Sequence, residues 1–149
     1  MSKISHVELY VSDYAKSVRF YDKVLGAVGW KRLVCRTDHT TFCDGESKIV
    51  ICPVDDKFKG DGYHRKRVGL NHLAFYASSK EEVDHLYKNV LLPQNIPCLY
   101  EQKPTGEDDY YAIFFEDPDR IKIEVVFAPG YCKPEHYTNQ FEDDFDPYA

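Results

Sequence analysis

The chain has 149 residues, 43% hydrophobic and 30% charged, with a formal net charge of −6, which is enough for one domain with a sizeable core. The negative balance argues against nucleic-acid binding, since phosphate backbones repel such a surface, and the one basic cluster, His64 to Arg67, is short. No apolar run approaches the roughly 18–20 residues of a membrane span, the opening MSKISHVELY lacks a signal-peptide core, and five cysteines with no C-x-x-C pair argue against a disulfide framework or structural zinc, so a soluble, cytoplasmic protein with no membrane or nucleic-acid partner is expected.

Residues 3–11 alternate in polarity and predict a strand. Ala15, Val18, Tyr21 and Leu25 then recur at helical spacing, with Ser12 or Asp13 as the cap and Gly26 where a terminating glycine belongs. Strand-like runs follow at 30–36, 40–43 and 48–54, the last two joined by an Asp44-Gly45 turn. Residues 55–67 are polar and read as a connector. The order then starts again with a strand at 70–77. Ser79 and Glu82 form a capping box, and the helix after it presents Val83, Leu86, Tyr87, Val90 and Leu91, with Pro93 past its end. Strands are expected at 96–101, 110–116 and 121–128, the last pair joined through Asp117-Pro118-Asp119. The tail, 129–149, is acidic and aromatic.

The two runs of elements are related in sequence as well as in order. At an offset of 66 residues His6 falls on His72, Tyr10 on Tyr76, Ser12 on Ser78, Tyr21 on Tyr87, Val24 on Val90 and Leu25 on Leu91. This is an internal repeat, about 3–54 and 69–128, of a strand-helix-strand-strand-strand unit within one domain spanning 1–149. A single unit leaves a sheet face and an edge uncovered, so the two are expected to pair as an α+β fold.

The repeat singles out His6 and His72, one in the first strand of each unit. Glu124, inside the strand-like IKIEVVF, is costly to bury unless paired or metal-bound. Two imidazoles and a carboxylate suit a divalent metal that keeps positions open for water or substrate.

The stretches ISHVELYVSDYAKSVRFYDKVLG, GLNHLAFYASSKEEVDHLY and YYAIFFEDPDRIKIEVVF together resemble the vicinal oxygen chelate superfamily, which includes glyoxalase I, fosfomycin- and bleomycin-resistance proteins and extradiol dioxygenases. The resemblance covers nearly all of residues 4–128. It implies two paired βαβββ modules forming a half-open barrel, with metal ligands on the first and fourth strands of each module. His6, His72 and Glu124 match three of those positions; the fourth, in SKIVICPV, offers only Val50, Ile51 and Cys52. Arg120 stands where the family turn usually carries glycine.

Glu8 shares the face of His6 and is the candidate general base. Of Tyr110 and Tyr111 only one can face the pocket, and Tyr110 is the second catalytic candidate. His39, His64, His85 and His136 read as surface or loop residues. The implied protein is a metal-dependent lyase, isomerase or transferase acting on a small substrate chelated through vicinal oxygens. It would use Zn, Ni, Mn, Co or Fe and form a homodimer. The alternatives are an Fe(II) extradiol-type dioxygenase and a non-catalytic drug-binding protein. Glu107, Asp108 and Asp109 argue against fosfomycin transfer, since they would repel a phosphonate.

Overall fold

In the first strand, β1 (His6–Val11), Leu9 and Val11 are buried and His6, Glu8 and Tyr10 on the opposite face are exposed, as period-two alternation requires. The structure, a computed structural model, describes residues 3–133; residues 134–149 of the tail, with His136, lie outside the described part. Helix α1 (Tyr14–Gly26) starts where the Asp13 carboxylate accepts from Lys16 N at 3.0 Å, so Asp13 rather than Ser12 is the cap. It closes with Trp30 N–H donating to Leu25 O at 3.0 Å. The left-handed residue at this end is Gly29 (φ +84°), and Gly26 is the last helical residue.

Strands β2 (Lys31–Cys35), β3 (Thr40–Cys43) and β4 (Lys48–Pro53) complete the first half, and a short 3₁₀ turn, Asp56–Asp61, begins the connector. The second half repeats the plan with β5 (His72–Tyr76), α2 (Lys80–Leu86, continued by a π turn over Tyr87–Leu91), β6 (Thr105–Gly106), β7 (Tyr111–Glu116) and β8 (Lys122–Phe127). Ser79 caps α2 by accepting from Glu82 N at 3.2 Å, while the Glu82 carboxylate reaches the amide of Ser78 at 2.6 Å.

Two four-stranded sheets result, ordered β1-β4-β3-β2 and β5-β8-β7-β6, with β1∥β4 and β5∥β8 parallel and the other pairs antiparallel. The α+β architecture and paired repeat are as expected, and the sheets stay open rather than closing as a barrel. One expected strand is missing. Residues 96–101 make only an isolated bridge, Cys98 to Phe115, and Tyr100 and Gln102 take positive φ. Pro97 removes an amide donor within this stretch and Tyr100 is left-handed, which prevents a continuous ladder.

The inner faces of both sheets and both helices share one core, in which Tyr21, Leu25, Ile51, Leu86, Phe115 and Ile123 are fully buried. Phe20 of the first half meets Phe115 of the second at 6.1 Å, and Trp30 meets Phe75 edge-on at 5.4 Å. Polar ties cross the same seam: Tyr21 Oη donates to Asp117 Oδ2 at 2.8 Å and Ser12 N to Asp119 Oδ2 at 2.9 Å. Asp117 also accepts from Asp119 N and Ile121 N, both at 2.8 Å, and thereby shapes the β7–β8 turn. Arg120 in this turn sits at φ +68°, the left-handed conformation that glycine adopts without strain.

Burial pushes the Asp117 carboxyl from 3.8 up to about 6, against the lowering effect of its hydrogen bonds. A carboxyl raised in the folded state favours folding in its protonated form. Its contribution is therefore complete below about pH 4 and lost as pH rises through about 6, on the order of 3 kcal/mol in all. On acidification from about pH 6.5 to 4, the urea midpoint of the wild type should rise relative to that of Asp117→Asn. A pH-independent difference between the two would contradict this.

Candidate functional site

Two cavities lie on the outward faces of the two sheets, each opposite the face that joins the shared core. The first, about 510 Å³, is lined by His6, Glu8, Val34, Asp38, His39, Lys48, Val50 and Cys52, among others. The second, about 430 Å³, is lined by His72, Ala74, Tyr76, Tyr110, Phe114, Glu124, Val126, Tyr131 and Cys132. The structure thus brings His72, Glu124 and Tyr110 together and sets His6 with Glu8 in a separate cavity. Among the described residues, no group of three or more His, Cys, Asp or Glu side chains gathers where it could hold a metal ion.

Glu124 sits in the middle of β8, between β5 and β7, and is only 3% exposed. A bare carboxylate there would be costly. It accepts a hydrogen bond from the Tyr110 hydroxyl and lies 3.2 Å from His72 Nε2. Burial first, and then the Glu124 carboxylate, raise the Tyr110 pKa, so its proton stays in place and it acts as a donor that positions Glu124. Tyr110 is brought there by a tight turn. Glu107 N donates to Tyr110 O at 3.0 Å, and a Cβ on Gly106 (φ +120°) would lie 2.0 Å from that same oxygen. Tyr111 points the other way and donates to Asp84 on α2.

The imidazole of His72 is oriented from its other nitrogen. Nδ1 lies 2.7 Å from Asn71 Oδ1, and the amide nitrogen of Asn71 points toward Arg65 O at 3.4 Å. That arrangement puts the proton on Nδ1 and turns the Nε2 lone pair toward a carboxylate oxygen. Two acceptors facing each other at this distance repel unless a proton or a metal cation lies between them. His6 Nδ1 lies 3.2 Å from Ser5 Oγ, a hydroxyl that serves either tautomer of the ring. A histidine held by a polar partner on one nitrogen and free on the other is the usual state of a metal ligand. Imidazole and carboxylate are donors of the kind a divalent ion takes, but among the described residues they stand as two separate groups, His72 with Glu124 and His6 with Glu8, rather than one cluster.

Several site residues escape the sequence pattern. Asn71 and Ser5 each precede a histidine, and their orienting role shows only in three dimensions. His39 is a loop residue, as expected, but it also lines the cavity of His6 and pairs with Asp38 at 3.0 Å. Its position is set by the loop that joins β2 to β3 within the sheet. Tyr10 and Tyr76 are 68% and 55% exposed, so they are not core aromatics. Glu107, Asp108 and Asp109 precede the cavity-lining Tyr110 without lining either cavity themselves, and Asp108 pairs with Lys80 at 2.8 Å.

Comparison with known proteins agrees with this fold. The family model described as Glyoxalase/Bleomycin resistance protein/Dioxygenase superfamily matches residues 3–125. The uncharacterised protein YqjT of Bacillus subtilis (strain 168) is 41% identical over 127 residues, 84% of this chain and 98% of that protein. The metallothiol transferase FosB of Lysinibacillus sphaericus (strain C3-41) is 27% identical, covering 94% of this chain and 92% of its own length. Among solved structures, a Bacillus halodurans protein provisionally named a glyoxalase superposes with a TM-score of 0.76 at 38% identity, over 83% of this chain and 94% of that one.

Proposed function

The chain belongs to the Glyoxalase/Bleomycin resistance protein/Dioxygenase superfamily, and on that basis we propose that it is a metal-dependent lyase, isomerase or transferase for a small substrate bearing two adjacent oxygens, working as a homodimer. The observation that carries the reading is the buried Glu124 facing the oriented Nε2 of His72. His72 and Glu124 of one copy, with His6 of a second, would hold the ion. A divalent ion held there would act as a Lewis acid on the substrate oxygens.

The remaining residues act directly. Tyr110 holds Glu124 in place, and Asn71 and Ser5 fix the two imidazoles. Glu8 brings a carboxylate to the His6 cavity, either to take a proton or to bind. The exposed Tyr10, Leu33 and Tyr76, together with the free edges of β1 and β5, offer the apolar and backbone surface that a second copy would cover. Similarity to a protein named a metallothiol transferase supports the transferase branch. One observation favours Fe(II) ring-opening chemistry as a second reading: His39, paired with Asp38, supplies an acid–base histidine beside His6.

Elemental analysis and sedimentation test the proposal together. The expected result is a dimer carrying a divalent ion for each chain, with iron pointing to the oxygenase reading and zinc, nickel or manganese to the other. A protein that takes up none of these ions, as isolated or after incubation with them, would leave only a binding role.

A further inference from the structure

The strand registers of the two halves match except in where they place a carboxylate. His6 stands opposite Lys48 and His72 opposite Lys122, so the histidines are equivalent. Two residues further along, Ala74 stands opposite Glu124 in the second half, but Glu8 stands opposite Val50 in the first. Val50 therefore occupies the place that Glu124 holds in its own half, and the first half carries its carboxylate one strand over, on β1. Each half has one histidine and one carboxylate around the same pair of rungs.

We propose that Glu8 is a metal ligand, taking the place Val50 cannot fill, so that His6 and Glu8 of one copy and His72 and Glu124 of another hold the ion. This rests on the metal-dependent reading above and changes the role of Glu8 from proton acceptor to ligand. His6 and Glu8 lie two apart on one strand face, with Cα atoms roughly 7 Å apart. That spacing lets two long side chains converge on one ion. Both line the same cavity, and among the described residues no hydrogen bond or ion pair engages the Glu8 carboxylate. Of the other donors lining this cavity, His39 lies in the β2–β3 loop and Cys52 on β4, so neither shares strand β1 with His6. Two carboxylates also balance the charge of a divalent ion, which three ligands with a single carboxylate do not.

The test uses the full chain stripped with a chelator and titrated with Zn²⁺ or Ni²⁺ alone, followed by calorimetry, with the visible spectrum of the Co²⁺ form reporting coordination. Glu8 is exposed, so Glu8→Gln leaves the core untouched. It should weaken binding by on the order of 100-fold, as losing a direct ligand costs at least as much as losing an outer-shell partner, and should change the Co²⁺ bands. Adding Val50→Glu to Glu8→Gln should restore most of the affinity by returning the carboxylate to β4. Wild-type affinity and spectrum in Glu8→Gln, with binding lost in Glu124→Gln, would overturn the role of Glu8 and leave the metal reading standing. Unchanged binding in all three of Glu8→Gln, Glu124→Gln and His72→Ala would overturn both.

Discussion

His72→Ala is expected to lower divalent-metal affinity by on the order of 100-fold or more while the chain still folds and dimerises. The imidazole faces a cavity with its side chain 34% exposed, so its loss opens no hole in the core. What it removes is one of two donors that meet at 3.2 Å, and a direct ligand counts for at least as much as the outer-shell contacts whose loss costs about 10- to 100-fold. Glu124 would keep only its bond from Tyr110, so some loss of thermal stability should accompany the loss of metal. Mixing gives a sharper readout. In the proposed site shared between copies, a dimer of one His6→Ala chain and one His72→Ala chain would join both lesions in one site and leave the other intact. Neither homodimer should bind metal, whereas the mixed dimer, purified on two affinity tags, should bind half the wild-type amount. Full binding by the His72→Ala homodimer would show that His72 is not a ligand.

Phe115→Ala should cost about 3–5 kcal/mol, the range for a large aromatic cut from a well-packed core. Phe115 is 0% exposed and reaches across the seam to Phe20. Because both halves share that core, the loss should not melt one half and spare the other. Trp30 is the only tryptophan, and it lies edge-on to Phe75 of the second half, so its fluorescence reports on the seam. Urea unfolding followed by Trp30 fluorescence and by far-UV circular dichroism should give one coincident transition, shifted as a whole in the variant. Two separated transitions, or a cost under about 1 kcal/mol, would mean that the halves are independently stable.

Much of this was legible in the chain itself. The recurrence of His6 at His72 and Tyr21 at Tyr87 marked the repeat, and alternation along β1, β5 and β8 set the candidate ligands on one face of each sheet. Alternation cannot say which sheet faces which. It was the packing of Phe20, Tyr21 and Trp30 onto the second half that left the two candidate faces lining separate cavities. Val50, Ile51 and Cys52 offer no carboxylate, and it is the β1–β4 register, which pairs Glu8 with Val50, that brings Glu8 forward as the proposed fourth ligand. Residues 96–101 looked like a strand from their apolar content, but proline and left-handed backbone override that content. Asn71, Ser5 and His39 act through contacts that no period in the sequence encodes.

The connector has a consequence for chain continuity. Its 3₁₀ turn, Asp56–Asp61, has no buried residue, while Tyr21–Asp117, Ser12–Asp119 and the shared core hold the halves together across the seam. That stretch serves as a tether, which sets the effective concentration of one half around the other rather than adding contacts. A protease nick within it would leave the noncovalent seam in place and make stability depend on dilution, as it does for a complex of two fragments.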